Sequence, residues 1–126
     1  MKIILIMFFC CLTAACSTTP SVIPEGLTPG ELVQRAQEES DRNRYEAAAM
    51  YYNAILERFP DDSASVCGAQ YEIAFIHYKQ KKYDVATEEF YALIDRYNDA
   101  DGDLLPQKYL ILSNIVLETI KNKTKK

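Results

Sequence analysis

Residues 44–60 and 82–98 carry the same pattern twice, and this duplication constrains the fold more than any other feature of the chain. In the first copy Tyr45 is followed by Ala48, Tyr52, the aliphatic pair Ile55-Leu56 and the ending Glu57-Arg58-Phe59. In the second, 38 residues later, Tyr83 is followed by Ala86, Phe90, the pair Leu93-Ile94 and the ending Asp95-Arg96-Tyr97. Self-similarity at such a period marks stacked units, each too small to bury its own apolar face and stable only against a neighbour.

The units are helical. Apolar residues recur at three- and four-residue spacing, and after residue 30 no segment alternates long enough to suggest a strand. Helices are expected at about 29–42, 45–59, 64–81, 83–97 and 104–122, so the fold class is all-α. Between them lie turn residues: Asp41-Arg42-Asn43, Pro60-Asp61-Asp62-Ser63, Lys81-Lys82 and the acidic stretch 98–103. Thr28-Pro29-Gly30-Glu31 opens the first helix with a hydroxyl cap, a proline at the first helical position and a glutamate at the third, the pattern of a capping box.

This arrangement resembles the tetratricopeptide repeat, a helix–turn–helix unit. Tyr71-Glu72-Ile73-Ala74-Phe75-Ile76-His77-Tyr78 followed by Tyr83-Asp84-Val85-Ala86 tracks its consensus, with Arg35, Gln70 and Asn98 as departures. The resemblance spans about residues 29–120 and implies a short solenoid of about five helices, two repeats plus a terminal helix. Small Ala36, Ala74, Ala48 and Ala86 would let helices approach, with Tyr52 and Phe90 filling the space between them. The 38-residue spacing and the Phe-Pro-Asp-Asp-Ser link resemble the subclass found in cell-envelope proteins. These include the lipoprotein subunit of the β-barrel assembly machinery and the Tol–Pal coordinator.

The N-terminus has a different character. Met1-Lys2 is a minimal basic start, and residues 3–12 form a short unbroken apolar run that ends in Thr13-Ala14-Ala15. The run is too short for a membrane span and reads as a signal peptide over residues 1–15. Leu-Thr-Ala-Ala-Cys resembles the lipobox of bacterial lipoproteins, which implies a diacylglycerol on Cys16 and cleavage before it. Residues 16–28 hold Pro20 and Pro24, with Pro29 directly after, and read as an extended tether reaching about 40 Å at ~3.1 Å per residue. A repeat domain over 29–122 and a basic tail over 123–126 complete the division.

Cleavage would leave 111 residues with 13 basic and 18 acidic side chains, a net charge of about −5. Such a balance is poorly suited to displacing counterions from phosphate backbones, so nucleic acid is not an expected partner. Cys10 and Cys11 would leave with the signal and Cys16 would be lipidated. Cys67 then remains alone as a small packing residue, and no intrachain disulfide is expected.

No catalytic constellation is legible. His77 is the only histidine, and a lone imidazole at a core or half-buried repeat position lacks the partners that metal binding or acid–base work requires. Residues 99–103 alternate carboxylates, but a calcium loop registered on Gly102 would need ligands at Tyr97 and Lys108, and both fail. The stretch reads as a solvated turn, with Asp103 capping the last helix. No enzyme activity, metal or cofactor is expected.

Binding is the better expectation. The repeat resemblance implies that the first helix of each pair lines a concave groove: Val33, Gln37, Ser40 and Asp41 in the first repeat, and Tyr71, Phe75, Tyr78 and Lys79 in the second. The fifth helix is apolar on too many sides for a solenoid end, and Ile111 with Ile115 is expected to meet a partner or a second copy of the chain. The expected function is a lipid-anchored scaffold docking another envelope protein. It would sit at the outer membrane facing the periplasm, or on the outer face of a single membrane. The alternative is an accessory protein that handles a small apolar ligand during uptake.

Overall fold

The computed structural model describes residues 22–125; the signal segment 1–15 and Cys16 lie outside the described residues, as does Lys126. Five α-helices follow in order: α1 (Pro29–Asp41), α2 (Tyr45–Arg58), α3 (Ser63–Lys79), α4 (Tyr83–Asp95) and α5 (Gln107–Thr124). Single 3-10 turns occur at Arg96–Asn98 and Gly102–Leu104. The described residues contain no strand, and the chain is all-α as its periodicity predicts.

Local chemistry sets the boundaries. Thr28 accepts from the Glu31 N–H at 3.3 Å while the Thr28 N–H donates to Glu31 Oε2 at 2.8 Å, so the capping box forms in both directions. Asp62 opens α3 by accepting from the Ser65 N–H at 3.1 Å. The turn inside each helix pair repeats the same two closing bonds. Asn43 and Lys81 both take left-handed backbones, with φ of 57° and 62°. The N–H groups of Asn43 and Arg44 donate to the carbonyls of Ser40 and Glu39, and those of Lys81 and Lys82 donate to Tyr78 and His77.

Successive helices pack on one another: α2 on α1, α3 on α2, α4 on α3, and α5 on both α4 and α3. The core has two centres. The first joins Leu32, Ala36, Ala48, Tyr52, Ile55, Ala69 and Ile76; the second joins Cys67, Tyr71, Ala74, Ala86, Phe90, Leu93, Val116 and Ile120. Ala36, Ala48, Ala74 and Ala86 are fully buried where helices meet, and Tyr52 and Phe90 are the largest side chains wholly enclosed. Alanine at a crossing brings backbones close, and the ring opposite fills the remaining volume.

Two expectations need correction. The last helix begins at Gln107 and not near residue 104, because Gly102–Leu104 forms a 3-10 turn and Pro106 takes the N-cap position. Asp103 therefore does not cap it; Tyr97 and Gln107 tie the connection instead, donating to the carbonyls of Pro106 and Gly102. The stretch expected to be tether also ends early. Ile23 is only 7% exposed in the first core, and Arg58 holds it there by donating to the carbonyls of Pro24 (2.7 Å) and Ile23 (2.9 Å).

Candidate functional site

The expected groove residues on α3 divide by direction. Tyr71, Phe75 and Tyr78 belong to one continuous ladder of rings, Tyr109–Tyr71–Phe75–Tyr78–Tyr83, with centroids 5.5 to 6.0 Å apart. Tyr71 lies deepest, 7% exposed, wedged between Phe90 of α4 and Tyr109 of α5. It is a core residue and offers a partner almost nothing, which corrects its expected place on an open strip. Phe75 and Tyr78 are half-buried at the edge of the second core and keep an accessible side.

Gly68 makes this packing feasible. A Cβ at that position would stand 2.7 Å from the Tyr109 hydroxyl, so any other residue would have to shift that ring from its place against α3.

Three lysines decorate the ladder. Lys79 Nζ sits 4.9 Å from the Tyr45 ring centre and 5.5 Å from that of Phe75, and it donates to Ser40 Oγ at 2.7 Å. Lys108 covers Tyr109 at 4.7 Å and Lys123 covers Tyr78 at 5.2 Å. The Tyr78 hydroxyl beside Lys123 raises that ammonium above its ordinary value. Cations over ring faces are held by the ring quadrupole. They give the ladder a positive rim on a chain that is acidic overall.

Glu72 is the residue that the sequence reading missed. Burial lifts its carboxyl above the ordinary value, and Lys79 and Lys108 pull it back only in part. The Tyr52 hydroxyl is raised too, first by burial and then by the charges of Glu72 and Asp41, among others. Tyr52 and Glu72 therefore lie near enough to each other, to Asp41 of α1 and to Lys108 of α5 for their charges to interact. The helical period signals it: Glu72 and Lys79 are seven residues apart, on a stripe adjacent to that of Tyr71 and Tyr78. Gln37 is exposed one turn before Asp41, and Val33 packs against the first core.

The remaining candidates lie elsewhere. Cys67 is a free, fully buried thiol in the second core. His77 Nδ1 lies 2.7 Å from Glu89 Oε2, a contact between α3 and α4 that packs the pair together. Ile111 and Ile115 of α5 are 59% and 58% exposed. No group of three or more His, Cys, Asp or Glu able to hold a metal occurs among the described residues, and no described helix is long and apolar enough to cross a membrane.

Among known proteins, this chain is similar to an uncharacterized protein of Treponema pallidum (strain Nichols), 36% identical over 109 residues. The match covers 85% of this chain and 44% of that protein, so the chain spans less than half the length of this relative. No family model matches the chain, and no solved structure matches it.

Proposed function

We propose that this chain is a non-catalytic scaffold of the bacterial cell envelope: a tetratricopeptide-like domain, anchored by lipid on Cys16, that captures a segment of another envelope protein. The observation that carries the reading is the aromatic face of α3. There Phe75 and Tyr78 are held half-buried beneath Lys79 and Lys123, with the Glu72 carboxylate within reach of the Lys79 charge. Preordered rings flanked by cations suit a partner segment that offers apolar side chains and carboxylates, and aromatic anchors dominate such contacts. The repeated turn and the alanine-lined crossings support assignment to this repeat class.

The lipid supplies the mechanism's other half. An anchor confines the domain to one membrane surface and raises the effective concentration of partners held there. The location that follows is the outer membrane, facing the periplasm, or the outer face of the membrane in a source with one.

Purification of the full chain from detergent-solubilised envelopes, with mass spectrometry of what accompanies it, tests the proposal. A specific protein should be recovered with the wild type and lost with the Phe75→Ala, Lys79→Glu double variant. Recovery of an identical set with both chains would sink the groove assignment. The alternative, a small apolar ligand carried for uptake, calls for an enclosed apolar pocket. The clefts among the described residues are instead lined by charged and apolar side chains alike, as in the one bounded by Asp84, Leu117, Glu118 and Lys121.

A further inference from the structure

The internal repeat makes α5 comparable with α3 residue by residue. On α3, Ala69, Ile73 and Ile76 face the preceding helix pair. On α5, Ser113, Leu117 and Ile120 occupy the same i, i+4, i+7 stripe and face α4. With the two helices aligned on these stripes, Cys67 and Tyr71 correspond to Ile111 and Ile115. Cys67 and Tyr71 are buried beneath α4; Ile111 and Ile115 are more than half exposed. The face that α3 covers with its pair helix is therefore present on α5, apolar, and without a cover among the described residues.

The clefts repeat the comparison. Asn53, Leu56, Gln70 and Ile73 line one of about 200 Å³, whose remaining wall is Glu89, Ala92 and Leu93 of α4. Their counterparts Tyr91, Asn114 and Leu117 line a cleft of about 480 Å³ between α4 and α5. No further helix supplies the remaining wall among the described residues. Ile111, Leu112 and Ile115 of α5 and Tyr91 of α4 are all exposed large apolar side chains.

We infer that this place is taken by α5 of a second copy of the chain, each copy covering the exposed face of the other. The pattern along α5 selects this occupant. Lys108, Ile111, Ile115 and Glu118 follow 3-4-3 spacing, which aligns them as one seam along the helix, as in a coiled coil. An antiparallel pairing with its two-fold axis level with Ser113 sets Ile111 against the second copy's Ile115. The same register sets Lys108 opposite the second copy's Glu118, and symmetry repeats both contacts. Antiparallel is also the direction in which α4 lies on α3. At present Lys108 rests on the Tyr109 ring and Glu118 lies 3.7 Å from Lys121. Both are exposed contacts of small worth that a facing helix can replace. The isoleucine seam is separate from the aromatic ladder, and Lys108 is the one residue common to both.

The test is the mass of the full chain in detergent, by light scattering with the detergent contribution subtracted. The wild type should show twice the mass of the single processed chain at about 100 µM, and Ile111→Glu with Ile115→Glu should return it to the single mass without loss of helicity by circular dichroism. A gentler pair guards against misfolding: Lys108→Glu should weaken association about tenfold or more, and adding Glu118→Lys should restore it. Cysteines at both positions, K108C with E118C, should yield a disulfide-linked dimer on mild oxidation. Each single variant, which keeps every native cysteine, should yield none. A single mass for the wild type throughout, an oligomer indifferent to the isoleucine variants, or a charge swap that fails to restore association would each overturn the inference. So would a helix from a different protein found on this face.

Discussion

Lys81 holds a left-handed backbone at φ 62°, where an L side chain crowds the carbonyl that follows, at a cost of roughly 1–2 kcal/mol. Asn43 fills the matching place in the first pair, and its short polar side chain tolerates that conformation better. Lys81→Gly should therefore raise stability by up to about 1 kcal/mol, read as a higher urea midpoint at unchanged slope. Glu72 gives a second residue-scale prediction, with a sign fixed by its environment. Burial raises its folded-state carboxyl above the ordinary 4.5, so ionisation opposes folding. Stability is lost as pH rises from 4.5 through the raised value. Glu72→Gln should unfold at higher temperature than wild type at pH 7, and the difference should vanish below pH 4.5. Equal melting temperatures at both pH values would place Glu72 in solvent.

At the scale of the element, each helix is short and depends on its neighbours. Phe90 on α4 is completely enclosed by the second core, so Phe90→Ala should cost about 3–5 kcal/mol by lost burial and a residual cavity. Chemical denaturation of the variant measures it directly. Helix α5 hangs on a narrower feature, the contact of Tyr109 with Gly68. Gly68→Val should push that ring away and loosen α5 while leaving α1 and α2 intact. Hydrogen exchange should then show protection lost along Gln107–Thr124 and kept in the first helix pair, because stacked repeats couple only to their neighbours. Uniform loss across all five helices would argue for one indivisible cooperative unit.

For the whole molecule, the proposed anchor and the folded domain are separable. Residues 29–124 bury their apolar faces against one another, with Ile23 clamped by Arg58, and nothing in that packing calls on Cys16. Cys16→Ala should therefore move the chain from the membrane fraction to the soluble one with an unchanged circular dichroism spectrum. Retention in the membrane after this substitution would overturn the lipid anchor.

Helix positions, the repeated turn and the Thr28 capping box were legible in the residues, because each rests on interactions within about four positions along the chain. The identities of the enclosed residues were legible as well, since Ala48 and Tyr52 recur as Ala86 and Phe90 at a fixed offset. The groove was only half legible. Tyr71, Phe75 and Tyr78 share a helical face, and which of them a partner can reach depends on where α5 lies, a contact between residues about forty positions apart. Contacts beyond the local period also hid the His77–Glu89 pair, 12 positions apart, the clamp of Arg58 on Ile23, 35 apart, and the partly buried Glu72 carboxylate. Periodicity along this chain determined which stripes were apolar; only tertiary packing decided which stripes were covered, because burial depends on contacts that local spacing does not encode.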